Sequence, residues 1–132
     1  MKILICGSRD ISDPAVLVRA IEQSGIRPTS IISGGSRGVD RLAGEYAQSR
    51  GIEFTEYLAD WDRYGKRAGF MRNYIMVGAA DAVIAVWDGK SSGTKHAIDT
   101  AISSGKQVFV YQYRSRGAEV AASATGTFIF RN

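Results

Sequence analysis

Lys2-Ile3-Leu4-Ile5-Cys6-Gly7-Ser8-Arg9, with Asp13-Pro14 close behind, is the stretch on which the fold turns. A β-rich apolar run breaks at a glycine, so a strand ends in a tight turn there. Asp13-Pro14 then reads as an N-cap followed by proline at the first helical position, where its missing N–H is not needed. The helix runs to Ser24, and Gly25 stops it. Strand, glycine turn and helix in that order make one βα unit, and the pattern recurs along the chain.

Outward from it, Ser30–Ser33 reads as a second strand closed by Gly34-Gly35, and a helix is predicted from about Ser36 to Ser49. Val39, Leu42, Ala43, Tyr46 and Ala47 fall on one face of that helix. Gly51 ends it, and Ile52–Tyr57 makes strand three. Ala59–Lys66 is a loop of aromatic and charged residues, followed by a helix from about Arg67 to Gly78. Ala82–Trp87 is the fourth strand, Asp88–Gly93 a glycine-serine loop, Thr94–Ser103 a helix and Gln107–Tyr111 the fifth strand. The strands are continuous apolar runs, as in strands buried on both faces of a parallel sheet. The expected fold is therefore α/β: a single Rossmann-like domain over residues 1–132, with a mainly parallel five-stranded sheet of order 3-2-1-4-5 and helices on both faces. From Arg114 the tail is small and polar, apart from Phe128-Ile129-Phe130, which fits an edge strand or a dimer contact.

The 132 residues suit one domain, and 45% hydrophobic against 23% charged content is ordinary for a globular chain. Fifteen glycines against two prolines point to tight turns and close backbone approach. One cysteine, Cys6, excludes an intrachain disulfide, and with one histidine, His96, a structural zinc site is excluded too. No metal or cofactor is expected. No apolar run approaches the roughly 20 residues of a membrane span, and the start of the chain lacks a signal-peptide layout, so the expected location is cytoplasmic. The net charge of +4 is spread over scattered bases, among them Arg9, Arg37, Lys66, Arg67, Arg72, Lys90, Lys95, Arg114 and Arg116. Such a distribution suits a small anionic ligand better than nucleic acid.

In an open parallel sheet, ligands bind beyond the carboxyl ends of the strands where the strand order reverses. Three loops meet at that edge: Gly7-Ser8-Arg9, Ser33-Gly34-Gly35-Ser36-Arg37-Gly38 and Asp88-Gly89-Lys90-Ser91-Ser92-Gly93-Thr94. Each carries glycine, a small hydroxyl residue and a base. Glycines let backbone N–H groups approach a phosphate, helix N-termini add free N–H groups and a positive dipole end, and arginine adds a planar fork. Two familiar motifs are excluded. A P-loop ending at Gly89-Lys90-Ser91 requires glycine where Ile84 stands, and G-x-G-x-x-G over Gly35 and Gly38 requires glycine where Ser33 stands.

On the helix at 67–78, Met71, Tyr74, Ile75 and Gly78 read as the core stripe, and Gly69 precedes Arg72 and Asn73 by one turn. A mid-helix glycine costs about 1 kcal/mol relative to alanine, which a close ligand contact or tight helix packing explains equally well. Asp40 either complements its helix dipole, binds a ribose hydroxyl or orients Arg37. Trp61 and Tyr64 are candidates to stack on a base, or anchor their loop in the core. His96 and Asp99 read as a surface pair, and Cys6 as a packing residue.

Gly7-Ser8-Arg9, Ser33-Gly34-Gly35-x-x-Gly38-x-Asp40-x-x-Ala43, Trp61-x-x-Tyr64-Gly65-Lys66-x-Ala68-Gly69-x-x-Arg72-Asn73-x-x-Met76 and Ser92-Gly93-Thr94 together resemble the YspA-like branch of the SLOG superfamily, over residues 1 to about 112. The resemblance implies a Rossmann-like fold. The superfamily includes the LOG proteins, which hydrolyse the N-glycosidic bond of nucleoside 5′-monophosphates, and the DprA-like proteins, which bind single-stranded DNA. The YspA-like branch implies a sensor or processor of nucleotide derivatives such as ADP-ribose or NAD relatives. By position, Gly34, Gly35, Gly93 and Thr94 match the phosphate-binding segments, and Arg72 with Met76 resembles the LOG arginine in R-K-x-x-M. The LOG motif P-G-G-x-G-T-x-x-E is altered: its glutamate falls on Ala97, and Asp88-Gly89-Lys90 replaces its leading proline-glycine pair. An N-glycosidase would then need another carboxylate, from Asp40, Glu45, Asp62 or Asp88.

The expected function is binding of a nucleotide or nucleotide derivative at these loops. LOG-like N-glycoside hydrolysis, with Arg72 and Asp40 as catalytic residues, is the alternative, and single-stranded nucleic acid binding a third. The ligand-binding set is Gly7, Ser8, Arg9, Ser33, Gly34, Gly35, Gly38, Asp40, Trp61, Tyr64, Lys66, Arg72, Asn73, Asp88, Ser92, Gly93 and Thr94. A homodimer is expected because LOG-like domains pair through helices.

Overall fold

The computed structural model describes residues 1–114 and 123–129. In chain order they form β1 (Lys2–Gly7), α1 (Pro14–Ser24), β2 (Ser30–Gly34), α2 (Val39–Arg50), β3 (Glu53–Tyr57), α3 (Trp61–Tyr64) with a 3-10 turn at Gly65–Arg67, α4 (Ala68–Ala79), β4 (Ala82–Trp87), α5 (Ser92–Ser103), β5 (Gln107–Arg114) and β6 (Ser123–Ile129). The sheet order is β3-β2-β1-β4-β5-β6. The first five strands are parallel, in the order read from the sequence, and the fold is Rossmann-like.

The sixth strand is an addition to that reading. It pairs antiparallel with β5, Val108 opposite Ile129 and Tyr111 opposite Gly126. Phe128 and Ile129 thus sit in an edge strand, and the Phe128 ring meets that of Phe109 edge-on at 4.8 Å between centroids. Pairing with β6 also carries β5 on to Arg114. Phe130 and Arg116 lie outside the described residues.

The apolar runs are continuous because each strand feeds two cores. Ile3, Ile5, Ile84 and Val86 pack on one face with Val16, Leu17 and Ile21 of α1 and Val39, Leu42 and Ala43 of α2. Leu4, Cys6, Val83 and Ala85 pack on the other with Met76 and Val77 of α4 and Ala97, Ile98 and Ala101 of α5. Burying each large aliphatic side chain contributes about 1.5–3 kcal/mol.

Helix starts differ from the reading in ways the loops explain. α2 begins at Val39 because Gly38, at φ 76°, sits against the backbone carbonyls of Ser8 and Arg9, and the Val39 N–H donates to Ser8 O at 3.2 Å. α5 begins at Ser92 because Ser91 is its N-cap. The 59–66 loop winds into α3, where the Asp60 carboxylate caps the Arg63 N–H at 3.1 Å. Among the described residues no helix is long and apolar enough to cross a membrane.

Candidate functional site

β1 and β4 are neighbours, with Gly7 opposite Val86, and the chain leaves them toward opposite faces of the sheet. Beyond their carboxyl ends lies a cavity of about 410 Å³. Of the sequence-derived set, Gly7, Arg9, Asp40, Trp61, Lys66, Arg72, Asn73, Ser92, Gly93 and Thr94 line it. A second hollow of about 500 Å³ shares Arg9, Ser36, Trp61 and Arg72 with it and adds Gly35, Arg37, Leu58 and Ala59. Ser8, Ser33, Gly34, Gly38, Tyr64 and Asp88 line neither.

At one wall a carboxylate and a guanidinium lie side by side. Asp40, in the first turn of α2, is 8% exposed. Its Oδ2 accepts from the Ser36 N–H at 3.2 Å, and its Oδ1 lies 3.1 Å from the Ser33 hydroxyl, which also donates to Ile5 O at 2.7 Å. Burial pushes the Asp40 carboxyl above the ordinary range, and the Ser33 and Ser36 hydrogen bonds and the charges of Arg72 and Arg9 offset only part of that. A Cβ at Gly34 would stand 2.9 Å from both Arg72 Cζ and Asp40 Oδ2. Glycine there opens the space for the guanidinium beside the carboxylate. Arg72 Nε is buried and has no hydrogen-bond partner among the described residues.

Several predicted residues have internal tasks. A Cβ at Gly7 would lie 2.3 Å from Val86 O and 2.6 Å from Val39 Cγ2, so this glycine lets α2 approach the β1–β4 pair. Ser8 is buried, and its hydroxyl accepts from the Asp88 N–H at 2.9 Å. Asp88 Oδ1 accepts from the N–H groups of Lys90 at 2.7 Å and Ser91 at 2.8 Å. Burial raises its pKa, but the Ser91 and Lys90 amides and the Ser8 hydroxyl outweigh that and hold the carboxyl below the usual range. Ser8, Gly38 and Asp88 thus tie the three loops to one another.

The N-terminus of α5 forms the opposite wall. Ser91 Oγ accepts from the Thr94 N–H at 3.4 Å and lies 3.1 Å from the Thr94 hydroxyl. Ser92 and Gly93 follow the cap, where helix N–H groups have no partner within the helix. A Cβ at Gly93 would meet nothing within 4 Å. From α4, the Asn73 amide donates to Gly93 O at 3.2 Å and lies 3.1 Å from His96 Nδ1. Phe70 stacks on His96 at 4.1 Å between centroids, and Tyr74 meets it edge-on at 5.0 Å. The surface pair read for His96 and Asp99 is corrected: Asp99 takes its hydrogen bond from Lys95 Nζ at 2.7 Å, and His96 turns to Asn73.

Trp61 is 55% exposed and borders both hollows, so it does not anchor its loop in the core. Tyr64 lies under the Arg63 guanidinium, 5.2 Å from its ring centroid. Met71, Tyr74, Ile75 and Gly78 are not the core stripe of α4; Ala68, Asn73, Met76 and Val77 are buried instead. The cavity also holds Cys6, Ser36, Gly69, Phe70, Met76, Ser91 and Ala97, outside the residues chosen from sequence. Ser36 and Ser91 were legible as hydroxyl residues inside the glycine loops. Phe70 carried no signal, because an aromatic on an apolar helix reads as core.

The cavity thus gathers Arg9, Lys66, Arg72 and a helix N-terminus against the single carboxylate of Asp40, a balance suited to an anion. Residues 1–64 match the model of the YspA, cpYpsA-related SLOG family. The Gene 61 protein of Mycobacterium phage D29 is 35% identical over 113 residues, covering 79% of this chain and 90% of that protein.

Proposed function

Because the chain belongs to the YspA, cpYpsA-related SLOG family, we propose that it binds a nucleotide or nucleotide derivative, of the nucleoside phosphate or ADP-ribose type, in the cleft between β1 and β4. The observation that carries this reading is Arg72, whose buried Nε has no partner among the described residues, in the wall of a cavity flanked by Arg9 and Lys66. A phosphate in the cleft would give the Arg72 guanidinium a charge-assisted partner. Arg9, Lys66, Arg72 and the Ser92-Gly93-Thr94 helix start hold phosphate in this reading. Gly34 seats the Arg72 guanidinium that meets the phosphate, and Trp61 stacks on the base. AMP, GMP, ADP-ribose and NAD, each at millimolar concentration, test it in thermal-shift and calorimetric titrations. Stabilisation by at least one, abolished in Arg72→Ala, is the expected result, and no shift with any of them would refute it.

A second reading, N-glycoside hydrolysis, draws on Asp40, a buried carboxyl with raised pKa beside Arg72 in the same cleft. It predicts free base by mass spectrometry, lost in both Arg72→Ala and Asp40→Asn. Intact nucleotide throughout would leave a binding protein. A homodimer belongs to the proposal as well. The outer face of α4 offers Phe70, Tyr74 and Ile75 at 45%, 55% and 54% exposure, with no charged side chain among them. Light scattering should give twice the chain mass, and the chain mass alone for Ile75→Glu.

A further inference from the structure

Asn73 has a side chain whose orientation the surrounding chemistry dictates. A backbone carbonyl only accepts, so the atom 3.2 Å from Gly93 O is the amide nitrogen. The same nitrogen faces His96 Nδ1 at 3.1 Å, so Nδ1 accepts and the ring carries its proton on Nε2. Burial lowers the His96 pKa against the opposing charge of Asp99, which favours the same neutral ring. Both amide hydrogens are therefore spent inside the protein. Asn73 is itself buried and lines the cleft, and no described residue donates to its Oδ1.

We propose that Asn73 Oδ1 is a fixed acceptor that reads a sugar hydroxyl of the ligand, and that His96 is the positioning residue that keeps it so. The inference rests on the nucleotide reading of the cleft and narrows it. A phosphate oxygen cannot face Asn73 Oδ1, since two acceptors repel, so phosphate is left to Arg9, Lys66 and Arg72. Asn73 lines the same cleft as Arg9, Lys66 and Arg72, so its acceptor meets the ligand whose phosphate they hold. In a nucleoside 5′-phosphate the ribose 2′- and 3′-hydroxyls are the donors nearest the phosphate, while the amino group of the base lies farther out. The ligand class is thus a ribonucleotide rather than a deoxyribonucleotide or a simple polyanion.

Calorimetric titration of the wild-type chain with AMP, 2′-deoxy-AMP, 3′-deoxy-AMP and purine riboside 5′-monophosphate tests this. One deoxy analogue should bind about tenfold more weakly than AMP, the worth of one hydrogen bond, and purine riboside monophosphate should match AMP. The deoxy penalty should vanish in Asn73→Ala, shrink in His96→Ala and return in His96→Gln, whose side-chain carbonyl can again accept from Asn73. Equal binding of AMP and both deoxy analogues to the wild-type chain would overturn the inference and leave the nucleotide reading intact. A tenfold loss confined to purine riboside monophosphate would move the donor to the base and overturn the sugar assignment. No binding of AMP, ADP-ribose or NAD would remove the nucleotide reading and the inference together. The wild-type series needs no variant to fold.

Discussion

A methyl group at position 34 would meet the guanidinium of Arg72 and the carboxylate of Asp40, both far ends of flexible side chains, whereas one at position 38 would meet backbone carbonyls at 2.4 and 2.5 Å. The two glycines therefore fail differently. Gly34→Ala should leave stability within about 1 kcal/mol of the parent. It should weaken nucleotide binding roughly tenfold or more, because displacing Arg72 loses a charge-assisted hydrogen bond. Gly38→Ala should lower stability by about 1–3 kcal/mol from its backbone conformation alone, with the clash in addition, as a fall in the urea midpoint. Asp40 supplies a pH signature. Its native pKa is raised, so the native state holds the proton more tightly than the unfolded chain. That contribution is complete below the unfolded value and is lost as pH rises through the native one. Above the native value the ionised, buried carboxylate is a cost, so Asp40→Asn should gain in melting temperature over the parent as pH rises, the gap closing as pH falls toward 3.8.

The start of α5 is the element on which the cleft depends most directly. Ser91 caps it through Thr94, and the Trp87 indole N–H donates to Ser91 O at 3.0 Å, linking the end of β4 to the cap. Ser91→Ala should cost about 1 kcal/mol in chemical denaturation, as for other caps, and should weaken nucleotide binding by loosening the Ser92 and Gly93 amides. On α4 the same sequence serves two surfaces. Asn73, Met76 and Val77 face inward, while Phe70 and Tyr74 pack on His96 and Ile75 lies outward. An apolar residue at helical spacing marks a face, but not which face the sheet receives, because this helix is apolar nearly all round.

At the scale of the whole molecule, β6 closes the side of the sheet remote from the cleft. A Cβ at Gly126 would lie 2.4 Å from Phe109 Cζ, so β6 packs tightly over the phenylalanine that β5 contributes to the core. A chain ending at Arg114 should bare the β5 edge and the Phe109 ring. We expect a lower urea midpoint and concentration-dependent light scattering from it, the behaviour of an uncovered edge strand. Its cleft residues, all before residue 98, should still bind nucleotide at low protein concentration.

The succession of strands and helices, the two-faced core and the glycine loops were legible in the sequence because they rest on local signals, and the strand order followed from the Rossmann-like pattern they make. Continuous β-branched runs, glycine stops and Asp-Pro or serine caps report backbone preferences that act over a few residues. Ten of the predicted site residues line the main cavity for the same reason, since loops that follow parallel strands share one edge. What the tertiary structure alone decided depends on contacts between residues distant along the chain. The Ser8 hydroxyl under Asp88, the glycine at 34 that admits Arg72, the turn of His96 toward Asn73 and the pairing of β6 all span gaps in sequence. A glycine written in a sequence states that a side chain is absent; only packing states whether backbone, guanidinium or open space takes its place.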